Sequence, residues 1–373
     1  MTLIFEKKVA GPATHVILIG VGDYTYLPPA GRLTSPPHSA RVLAGWFLGK
    51  HRNPMKKLGS LELLISDAEN TEFELQDDKA IQVEKADMAN TKLAIRRWID
   101  RGNERADNQL VFYFCGHGIA AGPITVLLLD NYGEREDAML ENTINFRGLH
   151  SGMEMCKARE QCFFIDACRQ ISEKLIAHVA AGSFGDSIID SSARLSQFGM
   201  RYAPVYYSTA TGQGSYGRQG KASVFADALV KAMDGAGSDN FEGESRIYTN
   251  SLNRGIEFLI KYVMDDAINL LQRVQIDGLD GFPIHYLDAK PIIPVTVHCE
   301  PKEANKEARL SYSNQDGSSK GSRPSPEESD WDVDLEPGSY RFSATFTEGK
   351  YRDSYTDDYV NPPGHKIPIK VKE

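Results

Sequence analysis

The sequence predicts an α/β fold, a mostly parallel β-sheet flanked by helices and followed by a small antiparallel β-sandwich. Continuous apolar runs at 15–21, 111–114 and 162–165 end in polar residues or glycine, the mark of strands buried on both faces. Between them lie stretches with apolar side chains at helical spacing, and alternation of strand with helix is the signature of a parallel sheet covered on both sides. After Pro291 the helical periodicity stops and short alternating runs replace it.

Residues 15–21 form the first expected strand, and 23–37, rich in Pro, Gly and Tyr, a loop. From Ser39 as N-cap, Val42, Leu43, Trp46 and Phe47 fall on one helical face. A second strand is expected over 61–65, and the acidic 67–80 stretch as a solvated excursion. Asn90 is placed to cap a helix carrying Ala94, Ile95, Trp98 and Ile99 on one face, with Gly102 as its stop. That helix leads into a strand ending Cys115-Gly116-His117-Gly118. A short apolar run at 124–129, a polar segment over 130–159 with one helix, and the strand ending Asp166-Ala167-Cys168 follow.

Residues 169–202 read as a long connection with a helical signal near 171–181; long exposed connections are where proteolytic nicking concentrates. Residues 203–207 are another strand, Phe225, Ala228, Leu229 and Ala232 mark a helix, a longer helix runs over about 250–272, and 282–287 closes the sheet. Beyond Pro291, strands are expected at 295–297, 309–312, 332–335, 340–346 and 367–371, with Pro337-Gly338 as a turn and 314–329 as a flexible loop. The domains expected are therefore 1–290 and 291–373, the second a β-sandwich.

Composition narrows the functional class. The chain has 373 residues and a formal charge of −9, with Lys+Arg 42 against Asp+Glu 51. That balance argues against nucleic acid as an obligate partner, because phosphate binding needs a basic surface. Five cysteines without a CxxC pair, one left over after pairing, indicate neither a zinc site nor a disulfide framework, so no metal or cofactor is expected. No stretch approaches the roughly 18 uninterrupted apolar residues of a membrane span, and the N-terminus carries no long apolar segment. A cytoplasmic protein with free thiols is the expectation.

The chemistry centres on two strand ends. In parallel sheets catalytic groups collect at the carboxyl ends of strands, so a strand stopping at His117 and another at Cys168 can bring base and nucleophile together. A thiol near its ordinary pKa is only partly ionised at neutral pH, and a neighbouring imidazole activates it; the N–H groups of Gly118 and Cys168 would then form an oxyanion hole. The ordinary alternative is a buried core cysteine beside a turn histidine, since free Cys is among the most buried residue types. Cys115, Cys156, Cys162 and Cys299 keep that structural reading.

The spacing reverses the weights for Cys168. Asp166-Ala167-Cys168-Arg169-Gln170 stands 51 positions after His117-Gly118, close to a pattern of Gln-Ala-Cys-[Arg/Gln/Gly]-Gly with a His about 50 residues upstream. Over roughly 15–290 the chain resembles the caspase-like cysteine peptidases, the group of caspases, paracaspases and metacaspases. Asp166 before Ala167 looks more like the metacaspase and prokaryotic members, and Gln170 departs from the usual glycine or serine. The resemblance implies a cysteine endopeptidase acting on protein or peptide substrates, controlled by cleavage within 169–202 or by a protein partner on the C-terminal domain.

It also implies that a peptide lies extended against the stretch after Tyr207, giving Ser208, Ala210, Gly212 and Ser215 as cleft candidates. The family's pocket residues do not fall on matching types here. Arg32 and Arg218, each one place off, are candidates for holding an acidic P1 side chain, and Asp23 for a basic one; a solvated loop charge is the competing reading for all three. Two other functions stay open: a catalytically silent interaction module on the same fold, and a nucleotide-binding enzyme using Gly212-Gln213-Gly214-Ser215-Tyr216-Gly217. That G-x-G-x-x-G follows a late strand and opens no helix at once, unlike the dinucleotide fingerprint.

Overall fold

The computed structural model describes residues 2–75, 79–121, 124–138, 140–168, 170–171, 177, 185–189, 200–209, 218–241, 244–263, 275–278, 281–347 and 350–373. The chain divides into two compact units, Met1–Val230 with Ile260–Tyr286, and Lys231–Leu259 with Leu287–Glu373. Within the second unit the chain packs closely at Gly235, where a Cβ would lie 2.8 Å from the Ile292 backbone nitrogen.

The first unit is built on a seven-stranded sheet. Its strands are β1 (Leu3–Glu6), β2 (Ala13–Val21), β3 (Lys57–Ser66), β4 (Gln109–Gly116), β5 (Glu160–Ala167), β6 (Val205–Tyr207) and β7 (Gln275–Asp277), in spatial order β1-β3-β2-β4-β5-β6-β7. The five inner strands are mutually parallel, and both edge strands run antiparallel to their neighbours. Every residue of β2 and β4 is buried, as the continuous apolar runs require. The expected closing strand does form, as Pro283–Tyr286, but it is not part of this sheet. Its backbone is fixed to the end of the first helix, with Tyr286 N–H donating to the Arg52 carbonyl at 2.8 Å and Arg52 N–H to His285 Nδ1 at 3.0 Å. The edge falls to β7, whose Gln-Ile-Asp sequence is too short and polar to announce a strand.

Helices α1 (Ser35–Gly49), α2 (Met88–Gly102), α3 (Phe146–Gly152), α4 (Val224–Lys231) and α5 (Thr249–Val263) follow the predicted periodicities with shifted starts. Helix α1 begins before Ser39, because Pro36 and Pro37 fit the first turn, where an absent N–H costs nothing. Ser39 lies inside the helix and donates to the Ser35 carbonyl at 2.8 Å. The cap of α2 is Asp87, whose carboxylate accepts the Asn90 N–H at 2.8 Å. Helix α2 is anchored by Trp98, fully buried, with its indole N–H on the His15 carbonyl at 3.0 Å. Burial of large apolar side chains of this kind contributes roughly 1.5–3 kcal/mol each.

A second, four-stranded sheet orders Gln170–Ile171, Gly118–Ala121, Ile124–Leu128 and Thr143–Asn145. Its first two members continue the chain directly beyond β5 and β4. Part of the 169–202 connection is tied to this sheet: Asn145 N–H donates to the Asp186 carbonyl at 2.9 Å, Asp186 N–H to the Thr143 carbonyl at 3.1 Å, and Asp186 pairs with Lys92. The helix expected near 171–181 lies mostly outside the described residues.

In the second unit, Trp331–Leu335, Ile293–Glu300 and His365–Lys370 form one sheet; Lys320–Ser322, Arg309–Asn314, Gly338–Thr345 and Ser354–Val360 form another. Val295, Val297, Leu310, Phe342, Ile367 and Ile369 fill the core. The sandwich is as expected, with one parallel pair, between 293–300 and 365–370. The strand at Ser354–Val360 escapes sequence reading because its outward tyrosines and aspartates leave few apolar residues to mark it. Among the described residues, no helix is long and apolar enough to cross a membrane.

Candidate active site

Strands β4 and β5 pair residue for residue, ending with Asp166 opposite Cys115 and Ala167 opposite Gly116. His117 and Cys168 follow as the next pair, on strands about 4.8 Å apart. Side chains alternate along a strand, so Tyr113, Cys115 and His117 share a face with Asp166 and Cys168. Both chains then leave the large sheet together and pair again in the small one, Gln170 with Ile119. His117 and Cys168 thus sit at the point where one sheet hands over to the other. Gly118 permits the close approach: a Cβ there would lie 2.7 Å from the Cys168 carbonyl oxygen.

His117 is partly buried and held at both ends. Its Nε2 lies 2.7 Å from the Gly31 carbonyl, and its backbone N–H donates to the Tyr24 hydroxyl at 2.6 Å. A carbonyl oxygen can only accept, so Nε2 is the donor in this contact. Cys168 is partly exposed, whereas Cys115, Cys156, Cys162 and Cys299 are buried. Burial pushes the Cys115 and Cys162 thiols well above their ordinary value, raises that of Cys156, and brings Cys299 to about 11. The thiolate is the reactive form, so the environment suppresses four of the five cysteines.

Beneath the pair lies Asp166, 2% exposed. One of its oxygens accepts the Tyr113 hydroxyl at 3.1 Å, the Cys115 thiol at 3.4 Å and the Ser223 hydroxyl. Ser223 also caps α4 by accepting the Ala226 N–H at 3.0 Å, and its own N–H reaches Ser39 Oγ at 2.9 Å. The carboxylate therefore joins the end of β5 to the starts of α1 and α4. The Asp-x-Cys spacing was the available signal, since two residues apart on a strand means one face. Tyr24, Gly31 and Ser223 carried no sequence signal, being loop residues brought in by tertiary folding.

Of the cleft candidates, Ser208 is fully buried and extends the β5–β6 pairing, its N–H donating to the Ile165 carbonyl at 2.9 Å. The neighbouring Thr209 hydroxyl donates to the Ala167 carbonyl at 3.3 Å. Ala210, Gly212 and Ser215, with the whole Gly212 to Gly217 run, lie outside the described residues. Arg32 Nε stands 2.8 Å from Asp23 Oδ1, but off the N–H axis, so the pair is one of charge without a hydrogen bond. Arg218 is ion-paired with Asp227, and its Nε donates to the Ala222 carbonyl at 3.1 Å. Each arginine proposed for an acidic substrate side chain is thus matched by a carboxylate of the chain.

Two crystal structures show some similarity: protein GSU0716 from Geobacter sulfurreducens, at 11% identity and a TM-score of 0.41 over 74% of this chain and 95% of that one, and caspase-1 from Spodoptera frugiperda, at 13% identity and a TM-score of 0.39 over 72% and 89%. The uncharacterized protein y4kE of Sinorhizobium fredii (strain NBRC 101917 / NGR234) is 25% identical over 282 residues, 70% of this chain and 79% of the relative. The sequence profile of the caspase domain matches residues 54–254, more than half of the chain and the span that carries His117 and Cys168. The chain belongs to the caspase-domain family of cysteine peptidases.

Proposed function

We propose that the protein is a cysteine endopeptidase that hydrolyses peptide bonds of protein substrates, with Cys168 as nucleophile and His117 as acid and base. The observation carrying this reading is the register that makes them consecutive partners at the ends of β4 and β5, with the imidazole Nε2 committed to the Gly31 carbonyl. His117 Nδ1 takes the thiol proton, and the thiolate attacks the substrate carbonyl carbon. The N–H groups of Gly118 and Cys168 are the proposed donors to the tetrahedral oxyanion. His117 returns the proton to the leaving amine, and a thioester remains on Cys168. Water, deprotonated by His117, then attacks the thioester; the acid product leaves and the thiol is restored.

Profiling against a peptide library tests this reading and identifies P1 at the same time. Cleavage by the native chain and undiminished cleavage by Cys168→Ala would falsify it. We place the enzyme in the cytoplasm, with free thiols throughout, and assign it a peptidase domain over 1–290 and a partner-binding sandwich over 291–373. Cleavage within 169–202 is proposed as one route of activation, the docked Asp186 segment retaining the upstream piece. Intact-mass measurement of the active protein reads this directly: two fragments whose masses place the cut in 169–202 support it, and a single uncut, fully active chain overturns it.

A further inference from the structure

The loop between β2 and α1 is closed on itself. Leu33 N–H donates to the Gly22 carbonyl at 2.8 Å, and the Asp23–Arg32 pair stands beside this closure. Its base is fixed to the sheet, Gly22 and Asp23 N–H both donating to the Ser66 carbonyl at 2.8 and 3.0 Å. A second anchor lies one residue beyond Tyr24: Thr25 N–H reaches the Asp130 carbonyl at 2.9 Å, and its hydroxyl the Asp130 carboxylate at 2.8 Å. A thirteen-residue loop, 22–34, pinned in this way is a stiff support for whatever it carries.

It carries both groups that grip His117. Gly31 holds the imidazole from one side, and Tyr24, 2% exposed, holds it from below. The Tyr24 ring centroid is 4.9 Å from that of the imidazole at an interplanar angle of 39°, and the hydroxyl accepts the His117 N–H at 2.6 Å. Gly116 makes room for this: a Cβ there would come within 2.9 Å of the Tyr24 hydroxyl oxygen. Burial raises the Tyr24 phenol far above its ordinary value, so it remains a neutral hydroxyl.

We propose that Tyr24 is a positioning residue of the site, fixing the backbone and ring plane of His117 so that Nδ1 faces the Cys168 thiol. The idea rests on the peptidase reading for its consequence in catalysis, but its geometric part stands apart from it. A mispositioned imidazole stabilises the thiolate less, so alkylation of Cys168 reports the effect whether or not the chain cleaves peptides.

The test is the pH profile of Cys168 alkylation by iodoacetamide, read by mass spectrometry, in native protein, Tyr24→Phe and Tyr24→Leu. Tyr24→Phe keeps the ring and removes the acceptor of the His117 N–H. It is expected to slow alkylation at pH 7 about tenfold by moving the profile upward, the scale of one lost hydrogen bond. Tyr24→Leu removes the ring as well and should slow it further. On the peptide chosen by library profiling, kcat should fall in step with KM unchanged. Thermal midpoints are recorded alongside, and a folded Tyr24→Phe with the native profile and native kcat overturns the role of Tyr24. Cys168→Ala separates the two ideas: cleavage surviving there removes the peptidase, while the alkylation profile still decides Tyr24.

Discussion

Two clusters of buried polar groups in the α/β unit are satisfied in different ways. Between β3 and α2, the fully buried Glu62 is gripped by two guanidinium groups, Arg97 at 3.0 and 3.1 Å and Arg101 at 2.9 Å. This is charge answering charge, and nothing is left over for chemistry. At the carboxyl ends of β4 and β5, Asp166 accepts hydroxyl and thiol protons, and His117 is held by a backbone carbonyl and a phenol. These partners are neutral hydroxyl, thiol and carbonyl groups, so they fix the carboxylate and the imidazole by hydrogen bonds rather than by a salt bridge. The contrast separates a clamp from a site.

The largest expected effect is on the second cluster. Cys168→Ala should lower peptide cleavage by more than about a thousandfold while changing stability by less than about 1 kcal/mol, measured by library cleavage and urea unfolding in parallel. Glu62→Ala should do the opposite. Removing the carboxylate takes the buried partner from Arg97, which is a third exposed, and from Arg101, which keeps Glu6, at a cost of about 1–3 kcal/mol in urea unfolding, while Cys168 alkylation in the remaining folded protein keeps its native rate. A Glu62→Ala protein as stable as the native one would dissolve the distinction.

The smallest effect is a graded one with pH. Burial, aided by Arg101, lowers His15 to about 4; burial, aided by Arg201, does the same to His150; burial and the neighbouring His285 bring His51 to about 3. Their folded values lie below the unfolded value near 6.5, so the unfolded chain binds protons first as pH falls. Stability from these groups is complete above pH 6.5 and declines down to about 4 for His15 and His150 and about 3 for His51. The slope is up to about 1.4 kcal/mol per pH unit for each group. Urea midpoints at pH 7.5, 6 and 5 should therefore fall in order, and equal midpoints would show that these histidines are not held neutral.

Much of the fold was legible because buried strands and amphipathic helices write their environment into residue order. The runs at 15–21, 111–114 and 162–165 became β2, β4 and β5, and Ala94, Ile95 and Trp98 became the buried face of α2. Starts were misplaced where local chemistry outranked pattern: the prolines of α1 carried the helix back to Ser35, and Asp87 supplied the cap of α2 that Asn90 was expected to make. Short polar edge strands such as β7 were missed because an edge needs little apolar content. The pocket arginines were named from position alone, and their pairing with Asp23 and Asp227 depended on loop paths that spacing does not encode.

By itself, then, the sequence determined that strands ending in His117 and Cys168 exist, because a continuous apolar run that stops at a polar residue is a local fact. Only the tertiary structure decided that the two strands are neighbours in register, and that a loop from the far side of β2 brings Tyr24 and Gly31 onto the imidazole. Contacts between residues some 90 positions apart depend on which strands pair and how the loops close, and that is settled by burying all the apolar faces at once rather than by any single stretch of chain.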